Sequence, residues 1–596
     1  MRTRRSNRGA GEGGWALVFA VLVTFIAGTM ASLMFLTGMS ANRIAKVQLG
    51  STEALYLAEG ALAAAEQAII DAIANWQAVP TEGTATIGDH VIPYTVTPTG
   101  FVQTTTDASG ILTVLRGFEI EATAESHGTR HTAHRIVNSS STPIFQFAVF
   151  YTNDLEILPG PSMRLGGRVH TNADMYLGCG KTLSMDTNYV RATGDIFRAR
   201  KDDPSVSAGE VEIRSWVVDP FDPSEPSEFV ELNGVPQMDD LGIATTSGYD
   251  SNFTDGHDAD GDGLFTGPDD FLPWTTGALE YWEEPESYAG GSGNTVMTSD
   301  HGVQEAVAPS IGSIAMFEEK AAGDHVWNTA EEVFEPVAAG AGTHSKGFFH
   351  AQSDLSILAT RSGKWVAYDG DGKDVTSFLS YVVSIETMYD ARQGGKVQVI
   401  EVDIEELNDS GMFPSNGLLY SSTTGLGEGT AAAGVRLVNG EELKAPLTVV
   451  SEGSLYVQGD YNTENKKGAA VLADAVNLLS NAWTDTKGAG SLPAASETTY
   501  NMAIVTGNHE TKVGGYNGGF ENLPRFHEKW SGVDCNIVGS FVNTWSSKFA
   551  TGTWLYGSDR YQAPGRIWSY DEDFNVLGNL PPFTPMAVTA EPVVTW

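Results

Sequence analysis

Cysteine is nearly absent. Its two residues, Cys179 and Cys535, lie 356 positions apart; an oxidising compartment would permit one disulfide between them. Neither has a neighbouring Cys or His at zinc-ligand spacing, so they are not a zinc site. Positive charge is also scarce, 35 Lys and Arg against 75 Asp and Glu, for a net charge of −40. Six of those basic residues and one acid fall within residues 1–46, so residues 47–596 carry 29 basic against 74 acidic side chains, a balance of −45. Such a surface repels nucleic acid and anionic lipid and keeps the protein soluble and open to divalent cations, or suits it to a salty medium. Familiar catalytic signatures are missing too. There is no G-x-S-x-G elbow and no H-E-x-x-H. The stretch Gly178-Cys179-Gly180-Lys181-Thr182 fails as a phosphate loop because Met175 stands where the first glycine belongs. Carboxylates are too numerous to single out a catalytic pair, and no enzyme is expected.

What is present begins with an uncharged run, Trp15 to Met39. About 20 apolar residues cross a hydrocarbon core about 30 Å thick, so this run spans a bilayer with some tilt. A secretory signal has an apolar region of only ~7–15 residues followed by a small-residue cleavage site, which fits less well. Arg2, Arg4, Arg5 and Arg8 precede the span against one acid, Glu12. The positive-inside rule keeps that end cytoplasmic and exports the remainder.

The apolar run does not stop in a loop. Residues 40–79 are rich in Ala, Leu, Glu and Gln, good helix formers. Leu55, Leu62, Ile69, Ile70 and Ile73 recur at helical spacing, and Pro80 is a natural stop. A stalk over 40–79 continuing the span at 15–39 is therefore predicted. Gly28, Gly38, Gly50 and Gly60 inside it point to close packing or bending.

The N-terminal pattern resembles prepilin-type proteins. The features are a basic leader over 1–14, a glycine just before an uncharged span, and "YLAEGALAAAEQAI", with Ala58-Glu59-Gly60-Ala61-Leu62 at its centre. The segment is similar to PilX-type minor pilins and to the large minor pseudopilin of type II secretion. The resemblance implies processing between Gly14 and Trp15 and packing of the helix among other pilin or pseudopilin stems.

Past Pro80 the period changes to two. "HVIPYTVTP", "ILTVLRGFEIEATAES" and "HTAHRIVN" alternate apolar and polar residues with β-branched enrichment, the mark of half-buried strands. A small β region over 80–140 is predicted, of the kind that leans on a pilin helix. A linker at 138–143 leads into a large domain over 144–596, where short apolar runs recur between Gly, Asn and Asp turns. Two of them read alike, "VHTNADMYLGCG" and "VVSEGSLYVQGD". That spacing fits a β-solenoid or stacked irregular sheets. Near the end, Tyr516, Gly518, Gly519, Asn522, Pro524, Arg525, Glu528 and Trp530, then Pro564, Arg566, Trp568, Pro581, Pro582 and Pro585, resemble the C-terminal part of large exported proteins with a PilX-type stem. This resemblance implies architecture and location rather than chemistry.

The sharpest local signal is "DADGDGLFTGPDD". It places Asp258, Asp260, Asp262, the Leu264 carbonyl, Thr266 and Asp269 at the ligand positions of an EF-hand-type loop, with Gly263 at the turn. Asp at the last position is similar to dockerin-like loops. Seven Asp and no Lys or Arg occupy residues 250–271. Like charges 4 Å apart repel by ~4 kcal/mol at an effective dielectric near 20, a penalty that Ca2+ would remove. By contrast, Asp369, Asp371 and Asp374 read as a β-turn, and His127, His131 and His134 as surface histidines.

Together these features predict an α+β chain: a long pilin-like helix with a transmembrane half, then a large, mostly-β region. The predicted role is a PilX-type minor component of a type IV pilus or related envelope assembly. It would sit single-pass in the inner membrane with its bulk in the periplasm or at the cell surface, in contact with other pilins and with a possible surface or glycan ligand. The rivals are a calcium-dependent anchored adhesin and an exported polysaccharide-active enzyme on a β-solenoid.

Overall fold

The computed structural model describes residues 13–595, except 107–109, 188, 195, 198–199, 202–208, 214, 218–227, 231–295, 298–302, 321–324, 329–332, 337–342, 361–362, 424–432, 489, 491, 513–514 and 558–559.

One helix, α1 (Gly13–Ala74, 62 residues), opens the chain. At 1.5 Å per residue it is about 90 Å long. It stops five residues short of the predicted stalk end at Val79, and the reason is local. Trp76 adopts a left-handed conformation (φ 52°). The Gln77 amide donates to the Ala72 carbonyl (2.7 Å) and the Trp76 amide to the Ile73 carbonyl (3.2 Å). Those two bonds make a Schellman cap, which satisfies carbonyls that the ending helix would orphan.

Four antiparallel strands follow: β1 (Glu82–Ile87), β2 (His90–Thr106), β3 (Leu112–Ser126) and β4 (Thr129–Pro143). The three alternating runs picked out in the sequence lie in β2, β3 and β4. A fifth strand completes this sheet from the far end of the chain: Met586–Thr595 pairs antiparallel with β4, Met586 opposite Pro143. The small sheet therefore takes an edge from a segment that the sequence reading placed with the large domain. Period-two patterning predicts a strand but not its partner.

Between Pro143 and Met586 the chain builds a stack of parallel coils. β5 (Val149–Tyr151), β6 (Leu155–Ile157) and β7 (Met163–Gly166) form one turn. β8 (Val169–Thr171), β9 (Met175–Leu177) and β10 (Thr182–Asp186) form the next, and each strand pairs in parallel with its counterpart one turn earlier. Gly167 makes the corner between β7 and β8 at φ 92°, where a Cβ would come within 2.7 Å of Tyr570 Cβ and 2.9 Å of Ala148 Cβ. The look-alike runs of the sequence occupy equivalent places. The first covers β8, a corner and β9; the second starts in the strand Leu447–Gln458, which shifts register between Ser451 and Ser454, and runs on to Asp460.

The order of turns in space is not their order in sequence. One inward column runs Leu355, Leu419, Val449, Val471, Ile504, Phe541, Val149, Val169, Val190, each pairing with the next. All nine are buried. The chain therefore enters the stack in the middle at β5 and winds outward through β8 and β11 (Val190–Ala192). It re-enters at the other end near Leu355 and winds back until Phe541–Asn543 closes on β5. Aligned aliphatic columns bury both polar-backbone ladders and side chains, which is what makes such a stack stable. Trp365–Asp369 pairs antiparallel with Leu355–Ala359 and covers that end of the stack.

Candidate functional site

The first functional element is α1 itself, whose two halves differ. Over the N-terminal part, large apolar side chains stand bare: Phe25 is 70% exposed, Leu33 62% and Phe35 68%. An 18-residue window there has a mean hydropathy of 2.3 and is not buried at all, so this helix is long and apolar enough to cross a membrane. Thr24, Ser32 and Thr37 return their hydroxyls to carbonyls three or four residues back, which hides those polar groups within the helix. Gly28 and Gly38 have nothing within 4 Å of a notional Cβ.

From Gly50 onward the same helix is seated. Leu57, Ala58, Ala61, Leu62, Ala65 and Ile69 bury against Ile92, Val96, Phe118, Ile120 and Val137 of the small sheet. The alanine run lets helix and sheet approach closely. Gly50 lies 2.7 Å from the Ser126 carbonyl, measured from a notional Cβ, and Gly60 lies 2.5 Å from Ile87 Cδ1. Polar contacts fix the seat: Arg135 Nη1 to Glu66 Oε2 (3.0 Å) and Ser126 Oγ to Glu53 Oε2 (2.7 Å).

The end of the helix touches the coil stack. The Trp76 ring stacks on Phe348 (centroids 4.2 Å apart, planes at 6°) and meets Phe349 edge-on at 5.2 Å. Ser310 N donates to Asn75 Oδ1 at 3.3 Å. Among the described residues, stem and head are thus joined at the β4 exit, along the returning Met586 strand, at Trp76, and through Gln146, whose side-chain amide exchanges two hydrogen bonds with the Leu112 backbone.

The second element is a buried polar layer in the last coils. His527 and Asp390 are fully buried, 3.7 Å apart. Burial lowers the His527 imidazole to about 4, so it is neutral, and its Nε2 lies 2.9 Å from Asn477 Oδ1. Asp390 accepts the Tyr456 hydroxyl (2.7 Å) and the Gln393 amide (2.8 Å). Glu528 accepts both the amide and the hydroxyl of Ser480 (2.7 and 2.6 Å). Acid and imidazole stand side by side, and neither is exposed.

Where the stack closes, Glu521 sits buried and accepts the Leu158 amide of the first coil (3.2 Å). Burial raises its carboxyl to about 7, against the opposing pull of Arg566. Beside this layer Arg392, Arg525 and Arg560 line one pocket with Asn522, Trp554 and Tyr561. Trp554 and Arg392 also border an open cleft of ≈ 400 Å³ with Tyr516, Asn517 and His509.

The sites expected from sequence are distributed as follows. Gly14 and Trp15 lie in the first turn of α1, and the leader before Gly13 lies outside the described residues. All six predicted calcium ligands, Asp258, Asp260, Asp262, Leu264, Thr266 and Asp269, lie outside them too. Among the described residues no group of three or more His, Cys, Asp or Glu is placed to hold a metal. Cys179 and Cys535 are both buried and are not joined in a disulfide. His127 faces Glu53 at 3.3 Å and His131 faces Ser51 at 3.3 Å; His127 sits in the β3–β4 turn rather than on a strand. Asp369 closes a tight turn, its Oδ1 accepting the Lys373 amide at 2.8 Å.

Of the C-terminal residues singled out by resemblance, Asn522, Arg525, Glu528, Trp530 and Trp568 are core residues of the last coils. Sequence reasoning missed Trp76, Phe348, Arg392 and Arg560. Trp76 lies inside the stalk predicted over 40–79, where nothing marks it as a helix end, and the two arginines carry no signal either.

No protein-family model matches the chain, and no curated protein matches it. A solved structure, the competence-associated pilin ComZ from Thermus thermophilus, is similar at 10% identity and a TM-score of 0.20, over 92% of this chain and 97% of that one. A superposition that loose carries no argument.

Proposed function

We propose that this chain is a pilin-like minor component of a type IV pilus or related envelope assembly, with a structural and adhesive rather than catalytic role. One observation supports the reading above the others. A single helix is bare and uncharged over its first half and seated on a small antiparallel sheet over its second, and both ends of the head return to that sheet. An ordinary anchor has no need of the seated half. In a helical fibre the bare halves would pack together, and a head this large would clash along a tightly packed shaft, which favours the tip. The parallel coils are read as a β-solenoid that holds the adhesive surface away from the membrane, and the loop 258–269 as a structural Ca2+ site.

The test is a photo-crosslinking residue at Phe25 or Leu33 in the full chain, expressed in its own cell. Adducts with other stem-bearing subunits are expected. Adducts with lipid alone would sink the assembly reading and leave an anchored adhesin. Abundance equal to that of the principal fibre subunit would sink the tip position.

A further inference from the structure

We propose that the pocket lined by Arg392, Arg525 and Arg560 binds a small oxyanion, the carboxylate of an acidic sugar or a phosphate. In a chain of net charge −40, Arg392, Arg525 and Arg560 line one small pocket of ≈ 20 Å³, and among the described residues its lining contains no Asp or Glu. Arg525 is 3% exposed. Its Nη2 donates to the Ala550 carbonyl (2.7 Å) and to Ser547 Oγ (3.4 Å), while Nη1 is sealed from solvent with no acceptor among the described residues. Arg392 uses Nε on the Gly552 carbonyl (3.0 Å), and Arg560 uses Nη1 on the Ala391 carbonyl.

Among the described residues, the carboxylates that pull on Arg525 are Asp390 and Asp474, and neither hydrogen-bonds to it. Asp390 is engaged by Tyr456 and Gln393. Asp474 is engaged by the backbone amides of Phe549 (3.0 Å) and Ala550 (2.7 Å), as well as by that of Lys548. Both lower the field at Arg525 without touching it. A guanidinium stays protonated when buried, and an uncompensated buried charge is strongly unfavourable. The fork geometry of arginine matches a planar or tetrahedral oxyanion through paired N–H donors. An oxyanion here would supply the acceptor that Arg525 Nη1 lacks.

The surroundings favour the sugar source. Trp554 borders both the pocket and the adjoining cleft, where Tyr516 meets it edge-on at 5.3 Å. An aromatic wall beside Asn517 and His509 offers a flat apolar face and polar groups around it, which suits a sugar ring whose carboxylate enters the pocket. This inference does not rest on the assembly reading, since a chain that never entered a fibre would still hold the anion.

The experiment is calorimetric titration of the full chain in detergent, at constant ionic strength, with glucuronate, inorganic phosphate and glucose in separate arms. Saturable binding of glucuronate without binding of glucose is expected. Tighter binding of phosphate than of glucuronate would keep the site and assign it to phosphate. Arg560→Gln, at the part-exposed rim, is expected to weaken binding roughly tenfold or more by removing one fork. Arg560→Lys, which keeps the charge and loses the fork, should weaken it less and stands in should the Gln variant lose its folded circular-dichroism signature. No binding of either anion, or binding unchanged in both variants, overturns the proposal.

Discussion

Pro143 and Met586 stand opposite one another in one antiparallel ladder, at the exit and the return of the entire coil stack. The head is therefore not a bead on a linker. It grows from the tip of a strand pair that belongs to the stem's own sheet, so a pull on the head loads the ladder between β4 and the last strand. Deleting 586–596 is expected to free the β4 edge, since Ala587 and Val588, both buried, leave with it. Hydrogen exchange should show β4 amides losing protection while those of Ala469–Leu479, deep in the stack, keep theirs. Equal loss in both regions would mean that stem and head fold as one unit.

Glycines in α1 should divide into three behaviours. Replacing a helical Gly by Ala gains about 1 kcal/mol in helix propensity where space allows. At Gly50 a Cβ meets the Ser126 carbonyl at 2.7 Å and His127 Cβ at 2.9 Å, so backbone must move and Gly50→Ala should destabilise. At Gly60 the only near obstacle is Ile87 Cδ1, the end of a flexible side chain, so Gly60→Ala should be close to neutral. At Gly28 nothing lies near, so Gly28→Leu should not lower thermal stability yet should reduce recovery of the chain with assembled fibres. Unfolding curves and fibre fractionation read all three. Unaltered recovery with Gly28→Leu would count against stem packing.

Stability should depend on pH in two opposed ways. His170, His350 and His527 are each lowered to about 4 by burial. The unfolded chain binds protons more readily there, so their contribution is present above pH ~6.5 and is lost as pH falls through about 4. Glu521, raised to about 7 by burial, acts oppositely: the folded state binds its proton more tightly. Its contribution is full below the unfolded value and is lost as pH rises through about 7, on the order of 3 kcal/mol. Three groups outweigh one on the acid side, so chemical-denaturation stability should climb from pH 4 to about 6.5 and then decline slightly through neutrality. Glu521→Gln is expected to remove the decline and keep the climb. A decline that persists in that variant assigns it to another group.

Calcium is tested by adding and removing it. Where the metal binds only the folded state, unfolding free energy rises by RT ln(1 + [L]/Kd), about 2.7 kcal/mol at 100 times Kd. The full chain should therefore melt higher in millimolar Ca2+ than in chelator, and Asp260→Ala with Asp262→Ala should abolish the difference. No shift in the parent chain would remove Ca2+ from the loop at 258–269.

How much was legible beforehand follows from which signals are local. The span, the seated face of α1 and strands β2 to β4 are set by periodicity within a dozen residues, and Leu62, Ile69 and Ile120 could be placed on buried faces by counting. The equivalent positions of "VHTNADMYLGCG" and "VVSEGSLYVQGD" were visible for the same reason. Phe541 beside Val149 and Met586 beside Pro143 were not, because a strand's pattern names its face but not its neighbour. That Arg392, Arg525 and Arg560 line one pocket is likewise a product of stacking turns that lie far apart in sequence.

Trp76 offers the most discriminating test, because it joins two effects of opposite sign. At the C′ position of a Schellman cap glycine is the usual residue, and an L side chain held at φ 52° costs about 1 kcal/mol. The ring compensates by stacking on Phe348 at 4.2 Å and meeting Phe349 edge-on; aromatic pairs of this kind contribute ~0.5–1.5 kcal/mol beyond the area they bury. Trp76→Ala should lose the ring and keep the strain, whereas Trp76→Gly should lose the ring and relieve it. Both variants should therefore be less stable than the parent, with the Gly variant the better of the two by about 1 kcal/mol. Phe348→Ala should remove the advantage of Trp76 over Gly at this position, since the ring then keeps only its edge-on contact with Phe349 while the strain remains. If Gly proves no better than Ala, the left-handed turn carries no strain, and the helix ends at Ala74 for the sake of the Phe348 contact alone.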